Sequence, residues 1–239
     1  MTDLSGQRSF AVHGCAVLEV LDAHTVQQLR DAVDDHVGRT ASALLVPSEQ
    51  THPELPLERR LQAIASADRG VAETLLHAVC SDAQRDPRIA SLAGHPALRE
   101  TAQRLAGAPL SEPTIRVRAN VPALPHRRQG WHSDVAVQDG SACSRVRVTC
   151  WIPLSAVGAD NGSLEVALGA RSAPPPNRPR GDGGFEVLPE ALTGPREVVC
   201  GAPGTVAFVA PFTPHRALPS TTETVRWSVV CWFHGEEVA

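Results

Sequence analysis

Lysine and tyrosine are missing from this 239-residue sequence, and all 22 of its basic residues are arginine. Without lysine there is no Schiff-base chemistry, and without tyrosine no phenolic acid or base. Apolar runs of membrane length, roughly 20 residues, are missing too, so a bilayer-spanning helix is not expected. The opening MTDLSGQRSF carries an acid and no apolar stretch, which argues against a signal peptide. There is no excess of positive charge: the net charge is -4 and the pI is near 6.2, giving no support for nucleic-acid binding. Disorder is excluded by a 42% hydrophobic content. The expectation is a soluble cytoplasmic protein with a small-molecule substrate, no nucleic-acid or membrane partner, and an oligomeric state left open.

Cysteine pairs are also lacking. The six cysteines, at 15, 80, 143, 150, 200 and 231, form no CxxC and no zinc-finger spacing. Cys150, Cys200 and Cys231 each close a run of strand-like residues and are expected to be buried thiols. What abounds is Arg, Ala, Gly and Pro, whose codons are rich in G and C, and this points to a GC-rich bacterial genome.

The pattern changes near residue 110. Before it, helices dominate on a short strand at Cys15–Val20. Asp22 reads as an N-cap, followed by Val26, Leu29, Val33 and Val37 at helical spacing, with Gly38 as a stop. Residues 40–57 read as a loop; helices are expected over 58–80 and 96–106, the latter closed by Gly107. After residue 110 come seven short strand-like runs: 114–121, 135–138, 145–153, 164–168, 196–200, 205–209 and 225–233. Such spacing suggests an antiparallel sandwich or barrel. The stretch RSAPPPNRPRGDGG, 171–184, is too rich in Pro and Gly for a core element and reads as a surface loop or a lid. One domain is expected over 1–239, with 1–110 as mainly helical support and 111–239 as the β-barrel core.

The chemistry concentrates in GWHSDVAV. His132 and Asp134, two apart on an expected strand, point to one face. An imidazole and a carboxylate supply two ligands of a 2-His-1-carboxylate site, whose open positions suit iron(II) and oxygen chemistry. Alone the pair is a weak signal. His215, in APFTPHRAL, is a third candidate ligand, 81 positions on. Eleven residues later Arg226 interrupts the apolar run TVRWSVVCWF. A guanidinium there is costly to bury unless an anion meets it, and a dicarboxylate suits its paired hydrogen bonds. The bland alternative is an edge strand with Arg226 in solvent. Trp131, Trp151, Trp227 and Trp232 read as core, with Trp151 a candidate wall of a substrate pocket. Arg116 and Arg118 share a face and read as solvated, with Arg118 a weak candidate for substrate contact. Arg127 and Arg128 read as loop residues.

His132-Ser133-Asp134, His215 and Arg226, in this order and spacing, resemble the iron(II)/2-oxoglutarate oxygenases of the phytanoyl-CoA dioxygenase type. VRVTCWIPLSAVGADNGSLEVALGARS, 146–172, is similar to that family's strand, polar turn, Asn-Gly, strand and Pro-Gly-Ser-His turn; here the last reads Leu168, Gly169, Ala170, Arg171. HGCAVLEVLDAHTVQQLRDAV, 13–33, resembles its opening strand and helix. The resemblance implies an α+β, mainly β fold: a double-stranded β-helix (a jelly-roll, cupin-like barrel) with N-terminal helices packed on it. It implies iron(II), 2-oxoglutarate and O2 as cofactor and co-substrates, with ascorbate helpful in vitro, and succinate as co-product. His132, Asp134 and His215 would hold the metal. Arg226 would bind the distal carboxylate of 2-oxoglutarate, with Ser228 on the same strand face, Gln129 three positions before the first ligand, and Asn120 on the preceding strand as further contacts. No catalytic residue beyond the metal ligands is implied. Related halogenases replace the carboxylate ligand by a small residue, so Asp134 argues against halogenation. Hydroxylation, desaturation, epimerisation and oxidative cyclisation stay open, and antibiotic or other secondary-metabolite biosynthesis is the family-level expectation. Two rivals stand beside it: a cupin-like hydrolase or isomerase, for which Glu165 is the one embedded acid, and a non-catalytic small-molecule-binding barrel.

Overall fold

The computed structural model describes residues 6–125, 129–135, 145–180 and 184–235. Its elements run α1 (Gly6–His13), β1 (Cys15–Glu19), α2 (Ala23–Ala43), α3 (Ser48–Thr51), α4 (Leu57–Ala67), α5 (Arg69–Asp82), α6 (Pro87–Ala90) and α7 (Pro96–Ala106). Strands follow: β2 (Thr114–Asn120), β3 (Val146–Pro153), β4 (Leu164–Ala167), β5 (Asn177–Pro179), β6 (Phe185–Val187), β7 (Arg196–Val198), β8 (Thr205–Val209), β9 (His215–Ala217) and β10 (Arg226–His234). The strand expected at 135–138 falls, beyond Val135, outside the described residues, as do Arg127, Arg128 and Cys143.

Asp22 caps α2 as its position suggests, its carboxylate accepting from the Thr25 amide at 2.7 Å. The helix does not stop at Gly38. It runs five residues further and buries Ala41 along with Val26, Leu29, Val33 and Val37. A mid-helix glycine costs only about 1 kcal/mol, and a buried face outweighs that. A β-carbon at Gly38 would meet nothing nearer than the Arg60 guanidinium, 3.8 Å away. Gly38→Ala is therefore expected to stabilise by about 0.5–1 kcal/mol and raise Tm by about 1–4 °C. A melting curve decides it, and a lowered Tm would mean the glycine answers to packing.

The expected helix over 58–80 is two helices. Asp68 leaves the helical region (φ -146°, ψ 107°) and caps α5 through the Val71 amide. The 96–106 helix ends as expected, on Gly107 at φ 67°.

The strands form two antiparallel sheets of a double-stranded β-helix. The larger has the order β1-β8-β3-β10-β2 and the smaller β7-β4-β9, with β5 and β6 as a separate hairpin. That hairpin uses residues 177–179 and 185–187, so the Pro-rich stretch is partly ordered pairing, not all loop. Strand alternation divides the larger sheet. On β10, Trp227, Val229, Cys231 and Phe233 face the helices and join a core with Leu29, Leu61, Leu75 and Leu98. Val230 faces the opposite way and packs with Trp151, Val166, Leu168 and Val209 between the sheets. Arg226 and Trp232 share that face and line the site, with Ser228 beside Arg226.

Cys150 and Cys231 sit directly opposite each other on β3 and β10, buried and reduced. Burial pushes the Cys231 thiol up to about 12. Cys200 departs from its expectation: it is exposed, because β7 ends at Val198 and the chain has already turned outward.

Candidate metal centre

The HxD segment does not lie on a regular strand. His132 makes an isolated antiparallel bridge to His215, with both backbone hydrogen bonds formed, at 3.0 and 2.8 Å, and Asp134 sits in the bend beyond it. The two side chains converge because the main chain of His132 is tied to the start of β9. His132, Asp134 and His215 each present one ligand atom, all within 4.8 Å of one another. The imidazole rings lie 4.2 Å apart, tilted 55°.

Each histidine is held the same way. Nδ1 of His132 lies 2.8 Å from the Gly130 carbonyl and Nδ1 of His215 lies 3.0 Å from the Thr213 carbonyl. A carbonyl only accepts, so each Nδ1 carries a proton, and the ring nitrogen left for a metal is Nε2. Burial drives the His132 pKa down to about 3, which keeps that ring neutral and able to ligate.

Asp134 is fixed from the opposite sheet. The Thr149 hydroxyl donates to Oδ2 and the Trp232 indole N–H to Oδ1, both at 2.7 Å. Burial works to raise its pKa, but His215, His132 and these two donors outweigh it and hold the carboxyl below its ordinary value. Two imidazoles and a carboxylate, each braced by an outer partner, match the donor set of a 2-His-1-carboxylate metal site.

Trp232 and Thr149 escaped sequence analysis. Trp232 was assigned to the core on bulk alone, although it shares strand parity with Arg226, and its indole has a polar partner instead. Trp232→Phe keeps an aromatic ring, though a smaller one, and removes the N–H. Iron(II) affinity is expected to fall about tenfold, at the lower end of what outer partners contribute. Calorimetric titration measures this, and an unchanged constant would make the bond idle.

Arg226 is the second half of the site. It is 5% exposed at the start of β10, facing the space between the sheets. Its Nε donates to the Gly162 carbonyl at 3.0 Å and Nη1 to the Ser228 hydroxyl at 2.7 Å. The guanidinium carbon stands 5.2 Å from the Trp151 ring centroid, so Trp151 braces Arg226 as well as walling the cavity. Burial lowers its pKa to about 10, so it is still charged at neutral pH. No carboxylate pairs with it among the described residues, which is an expensive arrangement unless an anion arrives. Arg226 and the three clustered residues line one cavity of about 520 Å³.

Gly162 completes this end. At φ +78°, its carbonyl accepts from both Arg226 and Asn120, and a β-carbon would sit 2.3 Å from the Asn120 amide nitrogen. Gly162, held by Asn120, therefore brackets Arg226. Asn120 lines the same cavity. Its amide donates to the Gly162 and Leu218 carbonyls, leaving only a buried acceptor oxygen, which has nothing to offer a carboxylate. Ser228, fully buried, stands behind Arg226. Gln129 lines the cavity, while its backbone carbonyl accepts from Ala217. Arg118 is exposed and also lines the cavity. Glu165 is tied to Arg216 at 2.7 Å, outside the cavity lining.

The sequence profile of the phytanoyl-CoA dioxygenase family matches residues 10–228. No curated protein matches the chain. Among solved structures, the chain is similar to SnoK, a non-heme alpha-ketoglutarate-dependent carbocyclase from nogalamycin biosynthesis, at 21% identity and TM-score 0.60, over 96% of this chain and 82% of that one. It is similar to AviO1 from Streptomyces viridochromogenes Tue57, at 19% identity and TM-score 0.56, over 98% and 94%. EctD from S. alaskensis, solved with 2-oxoglutarate and 5-hydroxyectoine, aligns at 19% identity and TM-score 0.62, over 96% and 74%. These likenesses establish a common fold.

Proposed function

The chain belongs to the phytanoyl-CoA dioxygenase family and is an iron(II)/2-oxoglutarate-dependent oxygenase, and we propose that His132, Asp134 and His215 hold its iron while Arg226 anchors 2-oxoglutarate. The observation that carries this reading is the shared cavity: a three-ligand cluster and a buried, charge-unpaired arginine open into one space. The proposed reaction oxidises an unactivated C–H bond of a small molecule, with decarboxylation of 2-oxoglutarate to succinate. SnoK belongs to nogalamycin biosynthesis, which supports a role in bacterial secondary-metabolite tailoring.

When bound, iron(II) supplies oxygen activation at the positions the three ligands leave open. The protein's part is positioning. The backbone bridge between residues 132 and 215 sets the distance between the imidazoles, and the Gly130 and Thr213 carbonyls fix their tautomers. Thr149 and Trp232 stop the Asp134 carboxylate from rotating. Gly162 and Ser228 hold two edges of the Arg226 guanidinium, so its remaining N–H groups face the cavity in fixed orientation. Val230, Trp151 and Val209 give the cavity a dry wall.

A cupin-like hydrolase would need a free general base beside the metal. Glu165 is spent on Arg216, and Asp134 is the one acid among the described residues lining the cavity. The test is conversion of 2-oxoglutarate to succinate with iron(II), ascorbate and O2, which is expected at a slow, uncoupled rate even without the primary substrate. Absence of succinate from protein shown to hold iron would overturn the reading.

A further inference from the structure

The main cavity does not end at the metal site. A second one, of about 340 Å³, opens between α5 and β2 and shares Arg118 and Ala119 with it. Leu76, His77, Ser81, Gln84 and Arg116 wall this groove, and no described acidic residue lines it. Arg116 donates to the Gln84 side-chain oxygen at 2.9 Å and to the Ile115 carbonyl at 3.0 Å. Both acceptors are neutral, so the side chain is held in place while its charge stays unbalanced. Arg118 has no hydrogen-bond or ion-pair partner among the described residues. On the sheet it pairs with Ser228, one inward position along from the Asn120–Arg226 pair.

In the loaded site a divalent metal and Arg226 would be balanced by Asp134 and a dicarboxylate co-substrate. Among the described residues, Arg116 and Arg118 then have no acidic partner along the path leading away from the metal.

We propose that the groove between α5 and β2 receives an anionic group, a carboxylate or a phosphate, carried by the primary substrate at the end remote from the oxidised carbon. Arg118, at the junction of the two cavities, is the specificity-determining contact, and Arg116 supports it from within the groove. This rests on the oxygenase reading, since it takes the 2-oxoglutarate end of the cavity as filled. A cationic substrate such as an amino sugar would meet like charge here.

The test uses protein loaded with iron(II) and saturating 2-oxoglutarate under anaerobic conditions, so that Arg226 is already engaged. Three probes are titrated by calorimetry: 4-phenylbutyrate, phenyl phosphate and the neutral 4-phenylbutanamide. At least one anion is expected to bind about tenfold more tightly than the amide, and the tighter anion names the group. Arg118→Gln is expected to remove most of that preference, Arg116→Gln part of it, and Arg118→Lys to restore some. The 2-oxoglutarate constant of Arg118→Gln should match wild type. Equal binding of anions and amide, binding of none, or a preference that survives Arg118→Gln overturns the proposal. Failure of wild-type protein to bind 2-oxoglutarate at all would instead strike the oxygenase reading, and the anion preference is then read on the protein without co-substrate in the Arg226→Gln background.

Discussion

His215→Ala is expected to lose iron and turnover together. Two of the three proposed ligands would remain, and on that proposal the imidazole that leaves touches the metal, so the loss of iron(II) affinity should exceed the roughly hundredfold that removal of an outer partner reaches. The variant is a clean probe because the bridge between residues 132 and 215 is made by backbone atoms and survives truncation of the side chain. Asp134→Ala is a poorer choice. It strands the Thr149 hydroxyl, a buried donor costing about 1–3 kcal/mol when unpaired, and the half-buried Trp232 N–H, so instability would mix with metal loss. Calorimetric iron titration of His215→Ala beside its melting curve separates the two effects. Near wild-type affinity with an unchanged melt would remove His215 from the ligand set.

Arg226→Ala is expected to raise the 2-oxoglutarate dissociation constant about a hundredfold. A charge-assisted hydrogen bond contributes about 1.5–3 kcal/mol, and a net loss near 3 kcal/mol corresponds to two decades. Fold stability should change little, because the substitution also ends the burial of a guanidinium that lacks a counter-charge. Iron affinity without co-substrate should stay at its wild-type value. Arg226→Lys should recover only part of the loss, since an ammonium cannot reproduce two parallel bonds or reach Gly162 and Ser228 at once. Titration with iron(II) and then 2-oxoglutarate checks both variants. An unchanged 2-oxoglutarate constant in Arg226→Ala would sink the anchor assignment.

Much of this site was legible because it depends on residue type at long spacing. His132, Asp134, His215 and Arg226 stand out as polar groups among turn residues and apolar strands, and the structure brings all four to one cavity. The route by which His132 and Asp134 converge was not legible. A regular strand was the expectation, whereas a tertiary bridge to a three-residue strand does the work, and such pairing leaves no local pattern. β9 itself was missed for that reason, and β5 and β6 were hidden by their prolines and glycines. Gly38 misled because helix length follows burial more than propensity. The bracing roles of Gly162 and Asn120 depend on contacts across 42 residues, which composition does not carry.

The place of β10 has a consequence for how the chain acquires its activity. It is the last described strand, yet it lies between β3 and β2, pairing with both. Until it is synthesised, β2 has no neighbour in the sheet, Arg226 and Trp232 do not exist, and Asp134 lacks one of its two donors. On the ribosome the helical layer can gather early, but its apolar face must wait for Trp227, Val229 and Phe233 to cover it. Sequence-distant pairing of this kind slows folding and lengthens the exposure of sticky surface. Completion of the proposed metal site thus waits for β10, and metal uptake in a synthesis reaction would time the docking of that strand.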